Sequence, residues 1–255
     1  MTAFGYQLYS SRNFPPLTDT LPMLAGLGYE EIEGYGALFQ DANLLRELRI
    51  AMEQTGLRMP TAHFGVDFVR QSPTEVTGLC RQIGIETVFF PFLMPEKRPS
   101  DAQGWEAFGK SLSEIGKPLQ DAGLAFGWHN HDFELADLGV PEAPLDLILQ
   151  ASEDLVLELD VAWVARGGRD PFDYISRYKD RLRAAHIKDT APDGACADED
   201  GWADVGQGTL DWVSLHAALQ GTSTRHFIME HDNPSDHVRF ATRSLAAARS
   251  LGEGQ

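Results

Sequence analysis

The sequence predicts a single closed (β/α)₈ TIM barrel, formed by one domain over residues 1–255. Short apolar runs alternate eight times with longer amphipathic stretches, and a strand followed by a helix implies parallel strands joined by crossovers. Eight such units in about 250 residues is the size of this barrel. An open doubly wound sheet is the rival fold, but Gly5–Tyr9 offers no glycine-rich phosphate turn after the first strand. We therefore expect the closed barrel.

The apolar runs and the helix signals give the order of the elements. The predicted strands are Phe4–Tyr9, Tyr29–Gly34, Met59–Phe64, Thr87–Phe92, Leu124–His131, Leu155–Val161, Ala184–Lys188 and Phe227–His231. The predicted helices are Thr18–Leu27, Ala42–Thr55, Pro73–Ile83, Ser100–Ala122, Pro144–Ala151, Pro171–Lys179, Leu210–Leu219 and Ser235–Leu251. Gly56 and Gly84 follow two helices, as C-terminal caps do. The longest irregular segment, Thr190–Gly208, follows the seventh strand, on the face where such barrels carry their active sites.

The charge of the chain excludes two classes of partner. Lys and Arg number 21 against 38 Asp and Glu, which gives a net charge of −17. Nucleic acids and anionic membranes are bound through clustered basic residues. We therefore expect neither a nucleic acid nor a membrane as a partner, and we expect a small molecule instead. Homo-oligomerisation is left open.

The cysteines and the N-terminal segment indicate a cytoplasmic protein. Cys80 and Cys196 are far apart and form no CxxC pair, so neither a disulfide framework nor a thiolate zinc site is expected. The first residues have no basic region followed by an apolar stretch, so no signal peptide is expected. No apolar run reaches the length of about 18 residues that a transmembrane helix needs.

Four consecutive predicted strands carry polar side chains at their carboxyl ends, where a barrel's chemistry gathers. The residues are His129, Asp160, His186 and Glu230. Two imidazoles and two carboxylates suit Mn²⁺, Zn²⁺, Co²⁺ or Fe²⁺ and leave positions open for substrate oxygens. Each residue alone could be a hydrogen-bonded polar group in the barrel mouth. Together they predict a metal site, because clustered buried charge is costly without an ion.

Six segments together resemble the sugar phosphate isomerase/epimerase family, the xylose isomerase-like TIM barrels that also include endonuclease IV-type enzymes. They include the elements HNHDFE, ELDxxWV, HIKD and GQGxxDW, which are characteristic of one branch. The segments are Gly5–Arg12, Gly127–Glu134, Glu158–Val164, Ala185–Asp189, Gly206–Trp212 and Ile228–Asn233. The resemblance spans nearly the whole chain.

This resemblance implies one divalent ion, held by a residue from each of strands five to eight. Asp160, His186 and Glu230 match the family's Asp, His and last Glu, and His129 stands where many family isomerases have Glu. Those isomerases use two glutamates as a facing acid–base pair. The family's metal is often manganese, so we expect Mn²⁺, with Zn²⁺, Co²⁺, Fe²⁺ or Mg²⁺ as the other candidates.

The expected activity is that of a sugar isomerase or epimerase, acting on a sugar, keto-sugar or cyclitol. A proton next to a carbonyl is removed, and the ion stabilises the enediolate. Glu230 is the predicted base, and His131 and Lys188 are the predicted groups that return the proton or bind a developing alkoxide. Three residues are predicted to bind the substrate. His63 and Glu33 would bind hydroxyl groups, and Trp163 would form an aromatic wall against the sugar ring.

Three other functions remain open for this sequence. A lyase acting on a keto-sugar, inosose or keto-glycoside would begin with the same proton abstraction and then expel a β-substituent, with His131 as acid. An endonuclease IV-like nuclease is disfavoured because the chain is acidic and carries fewer ligands than a three-metal cluster needs. A sugar-binding barrel without activity is the third. The Gly206–Gly208 turn could also cradle a phosphate, although a simple turn is the stronger reading of a lone GxG.

Overall fold

Eight parallel strands close into a barrel in the computed structural model, which describes residues 3–251. Each strand pairs with its neighbours in sequence, and the last strand pairs with the first. The strands are β1 Phe4–Gln7, β2 Glu31–Gly34, β3 Arg58–His63, β4 Thr87–Phe90, β5 Ala125–His129, β6 Leu155–Asp160, β7 Leu182–Ile187 and β8 His226–Met229. The predicted (β/α)₈ barrel is therefore confirmed. The predicted domain also includes residues 1–2 and 252–255, which lie outside the described part of the chain.

Helices connect successive strands. They are α1 Leu17–Leu27, α2 Ala42–Thr55, α3 Val66–Gln71, α4 Pro73–Ile83, α5 Ala102–Asp121, α6 Pro144–Gln150, α7 Val161–Arg166, α8 Pro171–Arg177, α9 Trp212–Gln220 and α10 His237–Ser250. Two of them, α2 and α4, have the bounds that the sequence predicts. Asp41 caps α2 by accepting hydrogen bonds from two backbone amides. Gly84 ends α4 in the left-handed conformation that favours glycine.

Two short helices, α3 and α7, were not predicted, because each begins within a few residues of a strand end. Asp160 is the last residue of β6 and also the N-cap of α7, where its side chain accepts a hydrogen bond from Trp163 N at 2.8 Å. The strand therefore ends one residue before the predicted Val161.

Strand β5 is also shorter than predicted and ends at His129 rather than His131. The side chain of Asn130 takes the place of further backbone pairing with β6. Its Nδ2 donates to Asp160 O at 3.2 Å, and its Oδ1 accepts from Asp160 N at 3.0 Å. This exchange ties the ends of the two strands together and fixes the positions of His129 and Asp160 relative to each other.

A two-stranded antiparallel ribbon, Asp189–Thr190 with Trp202–Ala203, overlaps the segment predicted as irregular, Thr190–Gly208. Both cysteines are free, Cys80 in the core and Cys196 on the surface. None of the helices within residues 3–251 combines the length and the apolar character needed to cross a bilayer.

The pairing of β5 with β6 requires a glycine at position 127. A Cβ atom there would lie 1.8 Å from the backbone oxygen of Val156, so the two strands could not keep their spacing. In contrast, a Cβ at Gly78, inside α4, would meet nothing within 4 Å.

We predict that Gly127→Ala destabilises the protein by about 3 kcal/mol, because the backbone contact cannot relax. The matched variant Gly78→Ala should be neutral or more stable by up to about 1 kcal/mol, because alanine favours the helix. Thermal unfolding by scanning calorimetry measures both. Equal effects of the two variants would contradict this account of strand pairing.

Candidate metal centre and substrate cavity

Four side chains converge at the carboxyl end of the barrel, and we call them the quartet. His129 ends β5, Asp160 ends β6, His186 lies in β7, and Glu230 follows β8 directly. One ligand atom from each lies within 4.8 Å of the others, and all four residues are buried. His186 Nδ1 is 3.0 Å from Glu230 Oε2 and 3.8 Å from Asp160 Oδ2. The structure thus brings together the four residues predicted as metal ligands.

The quartet has the chemistry of a divalent-ion site. Asp160 Oδ1 caps α7, whereas its Oδ2 is buried and has no hydrogen-bond partner. Burial raises the pKa of Asp160 to about 7, because Lys188 and His186 offset only part of that effect. Burial, together with the nearby His186, holds the pKa of His129 well below its usual value, so its imidazole is neutral, as a metal ligand must be. An ion would supply the missing partner and positive charge.

A second group of side chains lies one layer deeper, and we call it the inner ring. Its members are Glu33, His63, Glu158 and His186. His63 Nε2 is 2.6 Å from Glu158 Oε2, and His186 Nε2 is 2.8 Å from Glu33 Oε1. His63, Glu158 and His186 also form, with His129, a second set of atoms within 4.8 Å of one another. His186 therefore belongs to both layers.

Lys188 lies behind the quartet, fully buried against tryptophans. Its Nζ is 2.6 Å from Asp232 Oδ2 and 3.3 Å from Glu230 Oε2. The ring centroid of Trp202 is 4.2 Å from the same atom. Burial lowers the pKa of Lys188, but Asp232, Glu230 and Asp160 outweigh it and raise the pKa above its usual value. Lys188 is therefore a permanent cation, and by lying beside Glu230 it lowers the pKa of that buried carboxyl well below its usual range.

A cavity of about 420 Å³ opens beside the quartet. Its walls are mostly aromatic, and none of the residues that line it is a Lys or Arg. They are Tyr9, Tyr35, Gly36, His63, Pro91, Phe92, His129, His131, Trp163, Glu230 and Asp232. Of the predicted substrate-binding residues, His63 and Trp163 are in this wall, whereas Glu33 is not. Of the predicted catalytic residues, Glu230 and His131 are in the wall, whereas Lys188 is not.

The ring of His131 lies between aromatic neighbours in the cavity wall. Its centroid is 5.2 Å from that of Phe92 and 5.1 Å from that of Trp163. Burial and the charge of Lys188 lower the pKa of His131 to about 3, and its Nδ1 is buried without a hydrogen-bond partner. The imidazole is therefore neutral at pH 7 and has a free polar atom.

Glu134 holds the backbone of His131 in place, a role that the sequence does not predict. Its carboxyl accepts hydrogen bonds from His131 N and Trp128 Nε1, both at 2.9 Å. The HNHDFE motif contains Glu134, but its inward position comes from the short helical turn at Phe133–Leu135. Asp232 was likewise missed as a functional residue, although it lines the cavity and binds Lys188.

The carboxylate of Asp189 occupies the centre of the loop that follows β7. Oδ1 accepts from Thr190 N and Leu210 N, and Oδ2 accepts from Gly206 N and Gly208 N, at 2.9 to 3.2 Å. A Cβ at Gly208 would lie 2.2 Å from Asp189 Oδ1, so glycine permits this close approach. The Gly206–Gly208 turn therefore binds a carboxylate of the chain itself, and its amides are not free for a phosphate.

Arg239 of α10 fastens the other end of the same loop. Its guanidinium is 2.9 Å from Glu199 Oε1 and 3.1 Å from Asp204 Oδ2. Glu199 also accepts a hydrogen bond from Ser235 N at 2.6 Å. The loop carries Trp202, whose ring packs 4.7 Å from that of Trp163 in the cavity wall. The Arg239 contacts thus support one wall of the cavity.

Comparison with known proteins places the chain among proteins of one fold family. A sequence profile of the xylose isomerase-like TIM barrel family matches residues 22–251. No curated protein gives a significant match. Many solved structures match, all those described below at less than 20% identity, so they bear on the fold alone.

Three of these structures illustrate the different activities found among proteins of this fold. A sugar phosphate isomerase/epimerase from Parabacteroides distasonis has a TM-score of 0.79 at 18% identity, over 99% of this chain and 94% of that one. A probable 3-DHS dehydratase of petrobactin synthesis from Bacillus anthracis has a TM-score of 0.77 at 13% identity, over 97% and 99%. A 3-keto-D-glucoside 4-epimerase from E. coli has a TM-score of 0.71 at 18% identity, over 98% and 100%.

The Arg239 contacts lead to a prediction about pH. Burial would raise the pKa of Glu199, but hydrogen bonds from Arg239 and Ser235 outweigh it and lower the pKa from 4.5 to about 2. A carboxyl with a lowered folded-state pKa stabilises the protein above its unfolded-state pKa, and that stabilisation is lost as the pH falls toward the folded-state value. We predict that Glu199→Gln costs about 1 kcal/mol at pH 7. The cost should shrink as the pH falls below about 4.5.

Thermal unfolding of the unsubstituted protein and of Glu199→Gln between pH 7 and pH 3.5 measures this difference in stability. Glu114→Gln, at an exposed position of α5, is the control and should match the unsubstituted protein at every pH. A difference that stays constant or grows as the pH falls would show that the charge of Glu199 does not fasten the loop.

Proposed function

The chain belongs to the xylose isomerase-like TIM barrel family, and we propose that it is a divalent-metal-dependent isomerase or epimerase of an uncharged sugar, keto-sugar or cyclitol. One observation carries this proposal. The ligand atoms of the quartet lie within 4.8 Å of one another, and His129 and Glu230 of the quartet also line the cavity of about 420 Å³. A metal-binding group and a substrate-sized space therefore adjoin.

We assign His129, Asp160, His186 and Glu230 as the residues that hold the ion, with Mn²⁺ as the first choice for this mixed nitrogen and oxygen set. The two distances given for the quartet, 3.0 Å and 3.8 Å from His186 Nδ1, leave room for an ion. Metal–ligand bonds of about 2.1 Å place ligands at right angles about 3 Å apart, and His186 Nδ1 and Glu230 Oε2 are separated by 3.0 Å. When bound, such an ion would act as a Lewis acid toward the substrate carbonyl and would make the adjacent C–H more acidic.

The protein's own groups then move the proton. Glu230 faces the cavity and is kept ionised by Lys188, so it can accept a proton from the substrate carbon. We assign Lys188 to this supporting role, because it does not line the cavity. His131 lines the same cavity as a neutral imidazole, so we assign it to a hydrogen bond with a substrate hydroxyl rather than to proton return. Glu230, once protonated by the substrate, can itself return the proton.

The cavity favours an uncharged substrate. Its lining contains no Lys or Arg among the residues named above, and the aromatic rings of Tyr9, Phe92 and Trp163 offer apolar faces to a sugar ring. In many barrels of this type, a phosphate binds to backbone amides of the loops after strands seven and eight. Here the amides after β7 bind Asp189. A sugar phosphate would therefore find no cation among these lining residues and no free amides in the Gly206–Gly208 turn.

A lyase on a keto-sugar, inosose or keto-glycoside is the second candidate. It would share the proton abstraction by Glu230, and the neutral His131 in the same cavity would hydrogen-bond the departing hydroxyl or glycosyl oxygen, which takes its proton from the protonated Glu230 or from water. Isomerisation conserves the mass of the substrate, whereas dehydration lowers it by one water, so product analysis separates the two activities.

We predict that the purified protein contains about one Mn, Co, Fe or Zn per chain by elemental analysis. The double variant Asp160→Ala/Glu230→Ala should lose this metal, because half of its ligands are removed. Glu31→Ala is the control, since Glu31 is a buried carboxylate of β2 that pairs with Arg58 and His226 instead. No metal, and no uptake from Mn²⁺ solution, would rule out the proposed site.

We also predict that the Mn²⁺-loaded protein exchanges a substrate proton in D₂O. Ketoses, 3-keto-glycosides and inososes are the compounds to screen, and NMR and mass spectrometry detect deuterium at the carbon next to the carbonyl. Glu230→Gln should slow the exchange at least about 100-fold, because it removes the base. A protein that binds metal and sugar but exchanges no proton would instead be a binding barrel.

A further inference from the structure

The inner ring places a carboxylate against the far side of His186. Glu33 Oε1 lies 2.8 Å from His186 Nε2, while the opposite nitrogen of the same ring, Nδ1, lies 3.0 Å from Glu230 Oε2 in the quartet. Both residues have no solvent exposure. The imidazole thus has one nitrogen toward the proposed ion and the other on a buried carboxylate.

Glu33 is itself held from three directions. Its Oε1 accepts from Gln7 Nε2 at 2.7 Å and from His186 Nε2 at 2.8 Å, and His63 Nε2 lies 3.2 Å away. The donors come from β1, β7 and β3, and Glu33 itself is in β2. Four strands therefore fix a single carboxylate oxygen in the barrel interior.

We propose that Glu33 is a positioning residue for the metal centre, an inference that rests on the proposed metal-dependent function. By accepting the Nε2–H of His186, it fixes the tautomer and the ring orientation that turn Nδ1 toward the ion. Such carboxylate–histidine pairs also make the histidine a stronger ligand, and their loss weakens metal affinity about 10- to 100-fold. Glu33 thus acts on the ion through His186 and does not bind the substrate.

The inner ring is better explained as this support than as a second ion site. An ion between two ligand atoms keeps them about 3 Å apart, given bonds of about 2.1 Å. His63 Nε2 and Glu158 Oε2 are separated by 2.6 Å, and His186 Nε2 and Glu33 Oε1 by 2.8 Å. These are direct hydrogen bonds. The quartet contacts are longer, at 3.0 Å for His186 Nδ1 to Glu230 Oε2 and 3.8 Å for His186 Nδ1 to Asp160 Oδ2. Carboxylate oxygens without a hydrogen bond occur in both groups, so the distances make the distinction.

Glu31, in the same strand as Glu33, provides a matched control. Glu31 is two residues before Glu33, is also buried, and also pairs with a histidine, His226 Nδ1, at 2.7 Å. His226 begins β8 at the other end of the barrel from the quartet. Substituting Glu31 therefore removes the same kind of buried pair without touching a proposed metal ligand.

The test compares Mn²⁺ binding to Glu33→Gln, Glu31→Gln and the unsubstituted full-length protein by titration calorimetry, after metal removal with a chelator. We expect one ion per chain throughout. The dissociation constant should rise about 10- to 100-fold in Glu33→Gln and less than about 2-fold in Glu31→Gln. Thermal unfolding of the metal-free proteins records the loss of stability that both substitutions share. The visible spectrum of bound Co²⁺ should change only in Glu33→Gln.

Other results would overturn the inference in recognisable ways. Unchanged Mn²⁺ affinity and an unchanged Co²⁺ spectrum in Glu33→Gln would leave Glu33 with a structural role only. Two ions per chain, one of them lost in His63→Ala, would make the inner ring a second metal site. Failure of the unsubstituted protein to bind Mn²⁺ would remove the proposed function as well.

If Glu33→Gln does not fold, Gln7→Met provides the same test from one contact further away. This substitution removes the hydrogen bond from Gln7 Nε2 to Glu33 Oε1 and leaves all four side chains of the inner ring unchanged. A several-fold rise in the Mn²⁺ dissociation constant is expected, and an unchanged constant would contradict the positioning role.

Discussion

The need to compensate buried negative charge governs the carboxyl end of this barrel. An unpaired carboxylate is costly to bury, so each one needs a cationic side chain, a hydrogen-bond donor or a bound metal ion beside it. The buried carboxylates of the two layers are those of Glu33, Glu158, Asp160 and Glu230, and the groups that face them are His63, His186 and Lys188. Neither layer is fully satisfied by the protein's own groups. In the deeper layer Glu33 Oε2 and Glu158 Oε1 have no hydrogen bond, and in the upper layer Asp160 Oδ2 has none and lies 3.8 Å from His186 Nδ1 and from Lys188 Nζ.

The sequence was sufficient to predict the barrel and the convergence of the quartet, because both follow from local patterns. Alternating strand and helix signals imply parallel strands, and the carboxyl ends of parallel strands share one rim. The same reasoning failed where a side chain replaced a backbone element. Asn130 ends β5 by bonding to the backbone of Asp160, and Asp160 begins α7 by accepting from Trp163 N. The spacing of apolar residues along a sequence does not reveal such contacts.

The inner ring and the loop contacts could not be predicted, because they join residues that are distant in the chain. Glu33 and His186 are 153 positions apart, and Arg239 and Glu199 are 40 apart. Whether two such side chains meet depends on the stagger between strands and on the path of a loop, neither of which a single sequence specifies. Alternation along a strand places a side chain inside or outside the barrel, but it does not give its depth. Glu33 was therefore predicted to bind the substrate, whereas it contacts His186 Nε2 and does not line the cavity.

The carboxylate of Asp189, with its four backbone donors, also determines when the loop after β7 becomes ordered. In many enzymes an active-site loop becomes ordered around the substrate's own anionic group, and the conformational entropy lost at that moment weakens binding. Here the anion belongs to the chain, so this entropy is lost during folding instead. Trp202 of this loop packs against Trp163 in the cavity wall. The contacts that hold that wall in place are therefore all made by the chain itself.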